Sequence, residues 1–355
     1  MKVLFIPDYS KGNPYQRLLA GSLLDLGVEV VFGEIFRAFS LTISALRNWK
    51  PHIIHMIWTD PFFIAGTSFK TFVRLVLFIV DLMMVKLVGI KIVWTVHNKY
   101  NHEERHVRLD LLNSRMLAKI CDVIKVESPS ARSEIQKLYK ISNASKIITI
   151  PEGNYIDAYP NIVDKVTSRK SLGPSLDDLV FLYFGQIKPY KGVPELINAF
   201  KKLDNPQATL LIAGKPCNNE ISEDILKKCD KNENIKTIFE FIPDDEIQIY
   251  MNAADVVVLP YRDILTSGAA ILAMSFGRAV IAPAIGCIPD VLDSKGGFVY
   301  DLSTEDGLLE AMQRALDADL KKMGKHNFQL AKRLQWDDIG KQTYKIYQEC
   351  LRKQG

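Results

Sequence analysis

The sequence predicts an α/β chain made of two Rossmann-like domains, each on a parallel sheet, with the sheets facing across a cleft. Three observations carry this. Short apolar runs rich in Val, Ile, Leu and aromatics recur with helical segments between them. The alternation breaks once, over the polar stretch 157–177, and then restarts. A chain of 355 residues with 48% hydrophobic content also suffices for two ordinary cores.

In the first half the strand-like runs are 2–7, 28–33, 52–58, 91–97, 122–127 and 146–151. The first is too short for a signal peptide and meets a polar segment at Asp8, so export is not expected. In the second half the runs are 179–185, 208–214, 235–242, 255–260, 279–283 and 297–300. The expected limits are 1–165 for the first domain, 166–333 for the second and 334–355 for a C-terminal helix that clamps back across both. Ligands of such sheets bind at the C-terminal strand ends, which puts the function in the cleft. No G-x-G-x-x-G fingerprint follows the first strand, which disfavours a dinucleotide-binding dehydrogenase.

Segment 69–90 is the most membrane-like stretch, but Lys70, Arg74, Asp81 and Lys86 interrupt it, so it should not span a bilayer. At helical spacing Lys70, Arg74 and Asp81 share one narrow face. Two readings follow: a helix buried on most sides, which is favoured, or a helix resting in a membrane interface. Residues 1–170 carry 23 Lys/Arg against 15 Asp/Glu and the remainder 22 against 26, so the net charge of +4 is the sum of a basic and an acidic half. A basic first half suits an anionic partner such as acidic lipid or a phosphate-bearing acceptor. Five cysteines at wide spacings fit a reducing cytosol.

The segment YFGQIKPYKG, residues 183–192, is the first candidate anion seat. An apolar strand leads to Gly185 and Gln186, and Lys191-Gly192 opens a helical segment beginning at Val193. A helix start offers unpaired amides and partial positive charge, and Lys191 adds a full charge, so phosphate oxygens would be held from two sides. Thr266, Ser267 and Gly268, between a strand and an apolar segment, form a second seat or a plain helix cap. Phe241, Ile242 and Pro243 end another strand and offer a flat base a resting place, or are only a proline turn.

With LLIAGKP, FIPDDEIQIYMNAADVVVLPY, AMSFGRAVIAP, IGCIPDVL and GGFVYD following in order, residues 178–301 resemble the donor-binding domain of GT-B glycosyltransferases of the family-4, or group 1, type. The first half resembles that family's acceptor domain more weakly, through FIPDYSKGNPYQR and WTVHN. The resemblance implies that Gln186 and Lys191 hold the donor diphosphate, although glutamine brings no charge. It implies that Phe241–Pro243 bind the base, that His97 lies near the reaction centre, and that Gly12 belongs to a loop approaching donor and acceptor. The family's retaining members carry two glutamates eight positions apart; ungapped alignment puts Ile264 and Leu272 there, with Asp263 as a neighbouring substitute.

The expected activity is metal-independent transfer of a sugar, with no cofactor, from a nucleotide-sugar donor to a glycan or lipid-linked acceptor in polysaccharide or glycolipid synthesis. The preferred donor is GDP-mannose, with a UDP-sugar as the other choice. The alternative is a non-catalytic nucleotide-sugar-binding subunit. If configuration inverts, Asp8, Asp60, His97 or Glu103 would take the acceptor proton. The expected location is the cytoplasm, at or near the inner membrane face, without a nucleic-acid partner. Residues 102–106 also spell H-E-x-x-H, a zinc motif to which Glu127 could add a ligand, but they lie in a charged stretch without a metalloprotease context.

Overall fold

The computed structural model describes residues 1–101, 106–230 and 232–352. The chain divides into two compact units, Met1–Gly153 with the segment from Gln335, and Asn154–Leu334. The division falls after Gly153 rather than after residue 165. The reason is local: the Ile162 and Val163 amides donate to Gln248 Oε1 at 2.8 and 3.0 Å, and Asn252 Nδ2 donates to the Val163 carbonyl at 2.7 Å. The polar stretch is thereby bonded into the second unit.

In the first unit, strands β1 (Lys2–Ile6), β2 (Glu29–Phe32), β3 (Ile53–Met56), β4 (Lys91–Thr95), β5 (Val123–Val126) and β6 (Ile147–Thr149) form one parallel sheet, ordered β2-β1-β3-β4-β5-β6. The helices include α1 (Pro14–Leu24), α2 (Ser40–Arg47), the short α3 (Asp60–Phe63), α4 (Ser68–Leu87) and α5 (Val107–Ile120). Asn13 caps α1 by accepting from the Tyr15 amide, with Pro14 at the first turn where its missing N–H costs nothing. The C-terminal helix Trp336–Arg352 belongs to this unit. Its Ile339, Ile346 and Tyr347 share a core with Tyr15, Leu19 and Leu23 of α1. The Tyr347 hydroxyl sits 2.6 Å from His55 Nδ1, whose Nε2 meets Thr95 Oγ1 at 2.7 Å. Burial, with Lys125 nearby, lowers the His55 pKa, so this core histidine stays neutral.

In the second unit, β7 (Leu179–Phe184), β8 (Ala208–Ala213), β9 (Ile235–Ile238), β10 (Val256–Val258), β11 (Ala279–Pro283) and β12 (Gly297–Tyr300) form a second parallel sheet, ordered β12-β11-β10-β7-β8-β9. Strand β9 stops at Ile238, so Phe241–Pro243 lie in the following loop and not on the strand. Its only neighbour, β8, ends at Ala213, and the Gly214 amide makes the next bond to the Ile238 carbonyl. Beyond that point the edge strand has nothing to pair with.

A buried arginine ties this unit together. Arg169 is fully buried; its guanidinium donates to the carbonyls of Ala253, Ser175, Leu176 and Asp178 and reaches Asp255 at 2.6 Å. Asp255 also accepts from the Val180 amide at 2.9 Å, which joins helix Lys165–Leu172, β7 and the entry to β10 in one network. Removing one partner of such a buried set leaves the rest desolvated and unpaired. Arg169→Met is therefore expected to cost the second unit about 3–5 kcal/mol, read as a drop in the urea midpoint; a loss below about 1 kcal/mol would contradict this assignment.

Candidate active site

Each sheet has a switch point, where the chain turns from building one side of the sheet to building the other. In α/β sheets that is where a crevice opens at the C-terminal strand ends. In the second unit it lies between β7 and β10. The segment after β7 and the segment after β10 are drawn together there by three contacts. Gly192 has φ +70°, and a Cβ there would stand 1.8 Å from the Pro260 carbonyl oxygen, so only glycine fits. The Arg262 amide donates to the Tyr190 carbonyl at 2.8 Å. The third contact is the Lys191 ammonium, 4.7 Å from the centre of the Tyr261 ring and 5.5 Å from that of Tyr190.

Lys191 is the notable charge of this group. Desolvation, with Lys188 nearby, lowers its pKa to about 8. Among the described residues no carboxylate pairs with it, and aromatic faces compensate only in part. The Tyr261 hydroxyl continues the chain of contacts to Ser267 Oγ at 3.1 Å. Ser267 caps helix Gly268–Ser275 by accepting from the Ala270 amide at 3.2 Å, so the candidate seats at Lys191 and at Thr266–Gly268 are joined through one tyrosine. Gln186 is exposed, and its carbonyl accepts from Tyr183 Oη at 2.9 Å. Asp263 is half-buried in the turn. Ile264 and Leu272 are 8% and 7% exposed, apolar positions packed into the unit and suited to no polar contact. Phe241 stands 67% exposed, between Glu240 and the buried Ile242. It is not part of the Lys191 group: its strand is two places from β7 in the sheet.

In the first unit the switch point lies between β1 and β3. His97 follows β4, and its ring stacks on Trp58 at 5.2 Å and meets the edge of Tyr15 at 4.8 Å. Its Nδ1 lies 3.3 Å from Glu127 Oε2, and Glu127 Oε1 lies 3.7 Å from Lys125 Nζ. Lys125, fully buried, also donates to the Tyr15 hydroxyl at 2.9 Å. Burial lowers the Lys125 pKa, while Glu127 and Glu152 pull it back up.

The encounter of His97 with Glu127 follows from register. Thr95 pairs with Lys125 across the parallel β4 and β5, so the residues two positions on face each other at the strand ends. Sequence reading found both strand ends but considered Glu127 only as a zinc ligand; the signal it lacked was which strands are neighbours. His97 and Asp60 line one pocket with Trp58, Asn98 and Tyr139. Asp8 does not line it. That residue is exposed and accepts from the Ser10 amide and hydroxyl at 3.0 and 2.6 Å, holding its own turn. A Cβ on Gly12 would meet nothing within 4 Å, and its amide donates to the Tyr9 carbonyl at 3.0 Å.

Residues 164–332 match the sequence profile of the glycosyl transferases group 1 family. That match spans the switch-point group just described. The second unit is a group 1 glycosyltransferase domain. Over 357 aligned positions the chain is 25% identical to a GDP-mannose:glycolipid 4-beta-D-mannosyltransferase of Xanthomonas campestris pv. campestris, covering 97% of this chain and 90% of that one. Its fold superposes on a sucrose-phosphate synthase from Thermosynechococcus elongatus with a TM-score of 0.78 at 17% identity, covering 99% of each chain. Anabaena HepE in complex with UDP-glucose gives 0.76 at 16% identity, covering 98% of this chain and 100% of that one. The architecture of the glycosyltransferase is GT-B, as the motif order implied.

Of the zinc motif only His106 lies among the described residues. Residues 102–105, including Glu103, lie outside the described residues, and both ring nitrogens of His106 are engaged, with Ser68 Oγ and the Ala65 carbonyl, each at 3.1 Å. Glu127 is held by His97 and Lys125.

The state of Lys191 makes the glycosyltransferase testable. As part of a phosphate seat the ammonium would attract a diphosphate, and a bound diphosphate would hold the proton on. As pH rises from about 8 toward 10.5 that cation is lost from the free protein. Affinity for GDP or UDP should then fall by up to about tenfold per pH unit, as measured by titration calorimetry. Lys191→Met should weaken binding at neutral pH and abolish the slope; a wild-type affinity flat through this window would remove Lys191 from the phosphate seat.

Proposed function

We propose that this glycosyltransferase moves mannose from GDP-mannose onto a glycan or lipid-linked acceptor, with inversion at the anomeric carbon and His97 as the base. The observation that carries the reading is the His97–Glu127 pair at a pocket of the first unit, together with full-length similarity to the Xanthomonas mannosyltransferase. The donor assignment rests on that similarity, and a UDP-sugar is the other choice to be tested.

In the reaction the acceptor oxygen forms a bond to the anomeric carbon while the bond from that carbon to the diphosphate oxygen breaks. The electron pair leaves on the nucleoside diphosphate, and the acceptor proton goes to the base. The Lys191 ammonium and the amides at the start of helix Gly268–Ser275 would meet the charge growing on the leaving group. With Nδ1 directed at Glu127, His97 would take the proton on Nε2, and the carboxylate would stabilise the resulting imidazolium. Forming a β-mannosidic bond from an α-linked donor inverts configuration, a course that asks for a base and not for the sugar-gripping glutamates of retaining relatives. Buried Ile264 and Leu272 agree with that. Since Lys191 and backbone amides supply the charge, the reaction is read as metal-independent, and activity should persist in EDTA.

A melting-temperature panel of GDP, UDP and their sugars tests the donor: a shift with GDP-mannose larger than with any UDP-sugar is expected, and the absence of a shift with every nucleotide would sink the reading. His97→Asn should lower kcat by about 10²–10⁴-fold with little change in nucleotide affinity. Glu127→Gln should lower it less. A His97→Asn enzyme with wild-type kcat would exclude this base.

A further inference from the structure

The face of helix α4 turned to solvent is apolar, although the buried face carries Leu75, Phe78, Leu82 and Val85. At 100° per residue Phe69, Phe72, Val76, Val80, Met83 and Leu87 fall on one stripe running the length of this 20-residue helix. All six are exposed, Phe69 at 76% and Leu87 at 86%. The favoured expectation, a helix buried on most sides, is overturned, and the reason is Asp81. It is 1% exposed and accepts from the Leu41 and Thr42 amides at 2.8 and 2.9 Å and from the Thr42 hydroxyl at 2.6 Å, capping α2. That bond turns the acidic position inward and the apolar stripe outward. On the neighbouring elements Leu46 of α2, Trp49 just after it and Leu112 of α5 are exposed as well.

The charges around this face are mostly positive: Glu34 pairs with Arg47 at 3.2 Å and Asp122 with Lys86 at 2.7 Å, and the other cations outnumber them. In α2, α4 and α5 the only carboxylates are Asp81 and Asp110, both buried, whereas Arg47, Lys70, Arg108 and Lys119 are exposed. We propose that the face made by α2, α4 and α5 docks on an anionic lipid bilayer, with the α4 stripe lying in the headgroup–acyl boundary and the basic residues meeting lipid phosphates. An apolar stripe flanked by cations is what an interfacial helix requires, and an exposed Trp suits headgroup depth. A second copy of the chain would bring the same cations against each other. No helix among the described residues is long and apolar enough to cross a membrane, so the contact is peripheral. The surface goes beyond the transfer reaction and does not depend on it.

Flotation of the full chain with vesicles tests this. Binding to phosphatidylcholine vesicles containing phosphatidylglycerol, weakened by salt and far weaker with phosphatidylcholine alone, is expected. The variant Phe69→Ser/Phe72→Ser/Leu87→Ser should lose at least about tenfold in vesicle affinity while keeping its melting temperature and its response to GDP or UDP. Failure of the wild type to float with the anionic vesicles, equal flotation of the variant, or a wild-type dimer that the variant turns monomeric would each overturn the proposal. Vesicle binding without any nucleotide response would instead leave the docking surface standing and remove the proposed function.

Discussion

Both candidate groups depend on the twelve strands among the described residues running parallel within their sheets. A parallel strand needs a crossover to return, so every C-terminal strand end lies on one edge of its sheet and every loop that leaves it is free to carry function. The order of crossovers then does the selecting. At β7 and β10 it brings Lys191 beside Tyr261 and Ser267, and at β4 and β5 the register sets His97 against Glu127. Neither group is contiguous in sequence, and each stands just past strand ends that the backbone ladders set side by side.

The charges at these edges fall into two kinds. Asp255 and Arg169 are satisfied many times over by carbonyls, an amide and each other, and they hold helix, strand and linker in place. Lys191 is lodged between aromatic faces with its proton weakened by burial, a costly state that an anion would relieve. Lys125 and Glu127 lie between these extremes: buried, but coupled to one another and to residues that line a pocket. Structure is thus secured at the N-terminal end of β7, and the candidate phosphate seat stands at its C-terminal end.

Helix α4 shows why periodicity alone misjudges a face. Its apolar and polar arcs were visible at 100° per residue, but the direction of burial was not, because a carboxylate reads as a solvent marker. Here Asp81 caps the start of α2, where unpaired amides reward a buried anion. The buried side also carries Leu75, Phe78, Leu82 and Val85, so both sides of the helix are apolar and tertiary contacts decide which one meets solvent.

The sequence by itself determined the two α/β repeats, the strand positions to within a few residues, the Lys191–Gly192 helix start and the Ser267 cap, because these are local consequences of apolar period, glycine and capping chemistry. It also placed His97 at a strand end. Tertiary structure alone decided that the unit boundary falls after Gly153, that Phe241 lies off the strand and away from the Lys191 group, that Asp8 holds its own turn, and that Glu127 partners His97. Those outcomes rest on which strands are neighbours and on hydrogen bonds across tens of residues, and neither is written in the spacing of a single segment.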